Sequence, residues 1–80
     1  MKLTYDARHN IAYLRLHEKA GHQVETIRLS DELNVDLAPD GTVYGIELLN
    51  ANEQLRGEDG GNLVLVNEAE GKQQRISLGP

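Results

Sequence analysis

Cysteine is missing from this 80-residue chain. A disulfide framework and thiol chemistry are thereby excluded. A domain this small without disulfides fits the cytoplasm better than an oxidising compartment. Phenylalanine and tryptophan are missing too, and tyrosine is the only aromatic residue. That leaves little with which to stack nucleic-acid bases. Basic residues are outnumbered, with 8 Lys and Arg against 13 Asp and Glu and a net charge of −5. The acids are spread along the chain instead of blocked. Binding to a phosphate backbone wants clustered Lys and Arg, so nucleic acid is not an expected partner. A basic partner is permitted but not demanded. No apolar run follows Lys2. The start of the chain therefore reads as neither signal peptide nor membrane span, and no membrane is expected. Nucleophile-elbow, phosphate-loop, dinucleotide and zinc-protease patterns are absent as well.

What is present is strand-like. The chain is organised around residues 33–51. Leu33, Val35 and Leu37 alternate with Asn34 and Asp36, the period of a half-buried strand. Ala38-Pro39-Asp40-Gly41 is a turn, with Pro39 presetting φ and Gly41 able to supply φ > 0. Residues 43–49 return. Pairing Leu37 with Thr42 predicts Val35 opposite Tyr44 and Leu33 opposite Ile46, apolar on apolar.

Residues 3–5 form a short first strand, and residues 6–10 a polar break. Residues 11–18 are a strand apolar on both faces, returning over residues 22–29 through Lys19-Ala20-Gly21. That register sets Leu16 against Val24, Tyr13 against Ile27 and Ile11 against Leu29. Asn50 or Asn52 could cap a short segment ending at Gly57, expected as one or two helical turns or as irregular structure. Glu58-Asp59-Gly60-Gly61 is an acidic hinge. Residues 62–67 and 73–78 form a last hairpin, with Glu68 opposite Lys72 and Val64 opposite Ile76. The fold class is α+β, mainly β. It is an antiparallel meander of about five to seven strands with one short helix, in a single small domain over residues 1–80.

Three blocks point further: Lys2-Leu3-Thr4-Tyr5-Asp6, then Ala12-Tyr13-Leu14-Arg15-Leu16, then residues 40–51 with Gly45-Ile46-Glu47-Leu48-Leu49. Over residues 2–51 the chain resembles the small prokaryotic domain-of-unknown-function family numbered 2283. The resemblance implies a β-rich, intracellular prokaryotic protein and no particular reaction. It makes an antitoxin-like or regulatory partner role conceivable by association alone. The sequence departs from the family pattern at Asn10, where the family often has an acid, and the hairpin over residues 62–78 lies outside the pattern.

Four residues mark a candidate functional surface: Asp6, Tyr13, Gly45 and Glu47. Asp6 reads first as a turn residue accepting backbone N–H groups, and second as an acid–base group. Gly45 stands inside a strand, where glycine marks a bulge or the close approach of another group. The expected neighbour is the short helix, with a ligand as the alternative. Asp36 and Glu47 could pair, but the expected register sets Glu47 beside Glu32, as a solvated acidic edge. His17 and His22 would point to opposite faces of their hairpin, so no metal and no cofactor are expected.

The leading functional expectation is a non-catalytic protein-interaction or regulatory module. The alternative is a small-ligand-binding or enzymatic domain using Asp6, Tyr13, Glu47 and the histidines. A homodimer or a permanent protein partner is expected. Residues 11–16 and the run Leu63-Val64-Leu65-Val66 are apolar on both faces, and one short helix cannot cover them. Exchange of the last hairpin across the hinge is the expected form of the dimer.

Overall fold

The computed structural model describes residues 1–18, 23–57 and 60–79. Among the described residues, seven strands and one short helix make the chain mainly β. A five-stranded antiparallel sheet holds β1 (Lys2–Asp6), β2 (Ile11–Arg15), β3 (Glu25–Ser30), β4 (Leu33–Leu37) and β5 (Val43–Leu49). Helix α1 (Ala51–Arg56) follows, then a separate two-stranded ribbon of β6 (Asn62–Asn67) and β7 (Lys72–Ser77).

The meander has one link out of neighbour order. The sheet runs β1-β2-β5-β4-β3, so β2 pairs with β5 and not with β3. Strands β5, β4 and β3 with β2 beside β5 form a Greek key read from its C-terminal end. The expected pairs Tyr13–Ile27 and Ile11–Leu29 are therefore not made. Ile27 faces Val35, and Ile11 faces Leu49. The physical reason lies in β5, the longest strand. A simple succession would leave it at an open edge, with its backbone groups unpaired. Pairing with β2 puts it in the centre. The loop 19–21 falls outside the described residues, as does His22.

The central hairpin forms between the expected strands, but out of the expected register, by one residue at Leu37 and by two beyond the bulge. Leu37 faces Val43, and beyond a bulge Asp36 faces Gly45, Val35 faces Ile46 and Leu33 faces Leu48. Tyr44 is the extra residue of the bulge. Its carbonyl oxygen accepts the N–H groups of Leu16 (2.8 Å) and His17 (3.2 Å) at the end of β2. Beyond the bulge the two-residue shift keeps each side chain on its expected face because the side-chain period is two, whereas Val43 moves to the face of Leu37. The turn is longer than four residues: the Ala38 N–H donates to Thr42 O, and the Gly41 N–H donates to Ala38 O. Gly41 sits at φ 90°, the left-handed region the sequence assigns to it.

One row across the sheet reads Leu3, Leu14, Ile46, Val35, Ile27. The next row on that face carries Tyr5, Ala12, Leu48 and Leu33. The rows between them are polar: Thr4, Tyr13, Glu47, Asn34, Arg28, and Lys2, Arg15, Gly45, Asp36, Thr26. The sheet thus has one apolar face and one polar face.

The helix anchors one end of this sheet. Its N-cap residue Asn50 is left-handed and makes no side-chain capping bond. Asn10, in the turn between β1 and β2, caps it from outside. The Asn10 Oδ1 accepts the Asn52 N–H at 2.7 Å, and the Asn10 carbonyl accepts the Ala51 N–H at 3.1 Å. The Tyr5 hydroxyl donates to Asn52 Oδ1 at 2.6 Å. Gln54 Nε2 donates to the Leu49 and Glu32 carbonyls. Six residues of helix span only about 9 Å, whereas five strands are roughly 19 Å across. The apolar face is left largely without a second layer. Among the described residues only Ala12, Tyr44 and Ala51 are buried apolar side chains.

The ribbon also departs from its expected register, by one residue. Leu63, not Val64, faces Ile76, and Asn67 faces Lys72. A four-residue connection over residues 68–71, with the Asn67 Oδ1 accepting the Glu70 N–H at 3.3 Å, replaces the expected three-residue loop. Leu63, Leu65 and Ile76 consequently share one face, and all three are exposed. The ribbon rests against α1 across an open groove of about 570 Å³ lined by Leu55, Leu63, Val64 and Leu78.

Candidate functional site

The polar face brings together three of the four residues singled out in the sequence. Tyr13 on β2 and Glu47 on β5 are cross-strand partners, and Gly45 lies two residues before Glu47. The Tyr13 ring crosses Gly45. A Cβ there would stand 2.6 Å from Tyr13 Cε1, inside any permitted contact. The close approach expected at Gly45 is therefore real, but the group that makes it is Tyr13 and not the helix.

Having crossed β5, the Tyr13 hydroxyl donates to Asp36 Oδ2 on β4 at 2.7 Å. The Thr26 hydroxyl on β3 donates to Asp36 Oδ1, also at 2.7 Å. Asp36 is 9% exposed, so a charge that burial would penalise receives a donor on each oxygen. The result ties β2, β4 and β3 together across β5. Sequence reasoning placed Asp36 on the correct face but opposite Val43, and so missed the clamp. The alternation of residues 33–37, with Asp36 in a polar row, was the available signal.

Glu47 is not beside Glu32. It faces Asn34, whose Nδ2 donates to Glu47 Oε1 at 2.8 Å. Glu32 instead accepts from Asn50 Nδ2 at 3.3 Å. The acidic edge expected from the shorter register does not form.

Asp6 stands at the rim. Its Oδ1 accepts the His9 N–H at 3.2 Å, the turn role the sequence assigns to it. Its Oδ2 lies 2.6 Å from His9 Nδ1. The side-chain bond to His9 and then the backbone bond from His9 hold the Asp6 carboxyl below its ordinary range. Thr4, Asp6, Ile11, Tyr13 and Glu47 line a hollow of about 130 Å³. Sites for small organic ligands usually enclose about 300–1,000 Å³. The hydroxyl of Tyr13, one oxygen of Glu47 and both oxygens of Asp6 are already engaged within the chain.

His17 Nδ1 lies 3.0 Å from the Val43 carbonyl oxygen and donates to it. Among the described residues no three His, Asp or Glu side chains converge as a metal site would require. No helix among them is long and apolar enough to cross a membrane.

The opposite face offers a different surface. Its central row of Leu3, Leu14, Ile46, Val35 and Ile27 is half-buried to exposed, and Leu48 and Leu33 continue the aliphatic patch in the next row. Large contiguous apolar patches of this kind are uncommon on soluble monomers.

Comparisons with curated proteins and with solved structures found no match. A family model does match, over residues 2–52, described as a protein of unknown function (DUF2283). The matched segment ends at the start of α1 and takes in the whole five-stranded sheet, leaving the ribbon outside it. The match covers well over half of the sequence, and the chain belongs to the DUF2283 family.

Proposed function

We propose that this chain is a non-catalytic protein-interaction module of regulatory type, acting as a homodimer or in permanent complex with a protein partner. The observation that carries this reading is the apolar face of the five-stranded sheet, which α1 leaves largely uncovered. Burying those aliphatic side chains would contribute roughly 1.5–3 kcal/mol each, a large term for a domain whose net stability is about 5–15 kcal/mol. An antitoxin-like role is one form that such a module takes. A cytoplasmic, prokaryotic setting fits the disulfide-free composition and the family resemblance.

The hollow beside Asp6, Tyr13 and Glu47 favours a second reading, a small-ligand or catalytic site. Its volume, about 130 Å³, and the internal partners of its polar groups make it the weaker one. Purification under native conditions separates the two. Recovery of the chain bound to itself or to a stoichiometric protein supports the interaction module. Recovery as a monomer carrying a small molecule, with no protein, overturns it in favour of the second reading.

A further inference from the structure

The accessible surface of the chain is 5950 Å². A compact monomer of 8.9 kDa exposes about 4,800 Å², so roughly 1,100 Å² is in excess. The radius of gyration tells the same story: 14.2 Å, against about 12 Å for a compact chain of this length. Standard protein–protein interfaces cover about 800 Å² on each partner. The excess is thus of the size one dimer contact removes.

Two surfaces among the described residues lack a cover. One is the apolar face of the sheet. The other is the β6–β7 ribbon, which makes no strand pairing with the sheet and meets the rest of the chain mainly at α1. An isolated two-stranded ribbon is marginal in water and needs a face to pack against. Its own register supplies that face: Leu63, Leu65 and Ile76 on one side, 42%, 55% and 44% exposed. One chain therefore carries two aliphatic surfaces, each lacking a cover.

We propose that the β6–β7 ribbon of one copy lays its Leu63–Leu65–Ile76 face over the Leu14–Val35–Ile46 row of a second copy, and receives that copy's ribbon in return. The proposal rests on the interaction-module reading and names its occupant as a second copy of this chain. A two-fold arrangement satisfies both surfaces of both copies with one contact repeated, and closes without leading to a fibre. The occupant is argued from within the chain: the ribbon pairs with no strand of the sheet and carries exposed aliphatic side chains of its own, which need a cover as the sheet face does.

The absence of cysteine makes the test free of background. Two single variants of the full chain, Val35→Cys and Leu65→Cys, are mixed, equilibrated and treated with a short bismaleimide, and the products are weighed by mass spectrometry. A link between different variants can only join two copies. The expected result is a Val35-to-Leu65 heterodimer well in excess of the Val35-to-Val35 product. A second variant, Leu65→Glu, alters a side chain already more than half exposed in the single chain. It is expected to halve the mass in solution while leaving the circular dichroism unchanged.

Each other outcome has a distinct meaning. A dimer that yields the Val35-to-Val35 product overturns the ribbon in favour of sheet-on-sheet packing. A dimer that yields neither product, and that survives Leu65→Glu, overturns it in favour of pairing along the exposed edge strand β3. Either leaves the interaction-module reading standing. A full chain that is monomeric overturns the ribbon proposal before any cross-linker is added, and the native purification then decides the module reading on its own.

Discussion

Tyr13 crosses Gly45 to reach Asp36. The ring occupies the volume that any side chain at position 45 would need, and its hydroxyl ends 2.7 Å from the Asp36 carboxylate. A strand glycine ordinarily weakens a sheet. Here its lack of a side chain permits a bond between strands that are not neighbours, since β5 lies between β2 and β4.

Gly45→Ala should therefore destabilise the fold by about 1–3 kcal/mol, because the added methyl forces the ring away. Tyr13→Phe, which keeps the ring and removes the donor to Asp36, should cost about 1–3 kcal/mol. The informative experiment is the cycle with Tyr13→Ala, read by urea denaturation. With the ring gone, the cost of Gly45→Ala should fall sharply. Additive effects would show that ring and glycine are not coupled.

At the turn between β4 and β5, Gly41 has φ 90° and open space around it. Gly41→Val should destabilise by about 1 kcal/mol or more through backbone strain alone. An unchanged denaturation midpoint would mean that the turn adopts another conformation in solution.

Asn10 caps a helix from a turn, its side chain accepting from an amide 42 residues away in sequence. Asn10→Ala should cost about 0.5–2 kcal/mol, and hydrogen exchange at the Asn52 amide should accelerate. Asn10→Asp keeps the acceptor oxygen and should preserve the protection. This gives a structural meaning to the acid that the resemblance places at that position. Equal exchange in the alanine and aspartate variants would remove Asn10 from the cap.

The contact between Asp6 and His9 has a pH signature. The folded-state pKa of Asp6 lies below its ordinary 3.8, so the folded chain binds this proton less tightly than the unfolded chain. The associated stability is present above 3.8 and is lost as pH falls through the lower folded value. A carboxyl-detected NMR titration should place the Asp6 midpoint below 3.8, and His9→Ala should raise it toward the ordinary value. A midpoint indifferent to His9→Ala would contradict the assignment of the cause.

Local signals account for what the sequence made legible. Alternation in residues 33–37, the Pro-Asp-Gly turn and the short apolar segments located the strands, and the asparagines with Gly57 located α1. Non-local facts were harder. Nothing near Ile11 or Leu29 says that β5 will come between their strands, because both pairings set apolar residues against apolar ones. The bulge at Tyr44 cannot be read from alternation either, since the two-residue shift beyond it leaves the faces of Leu33, Val35, Ile46 and Leu48 unchanged. In the ribbon the shift is one residue, set by the connection over residues 68–71, and there it changes which side chains share a face. Gly45 was legible as an anomaly inside a strand, and Asp6 as a turn residue. The bonds of Asp6 to His9, of Tyr13 to Asp36 and of Glu47 to Asn34 were not, nor the Thr26 bond to Asp36, because each depends on register or turn geometry.

The exposed apolar face of the sheet calls for a covering protein surface, in its simplest form a second copy. Light scattering coupled to size exclusion, on the full chain at micromolar concentration, shows whether that copy is there. The expected mass is twice 8.9 kDa, falling to the single-chain value on strong dilution. A stable species of 8.9 kDa with a cooperative melt independent of concentration would contradict the homodimer.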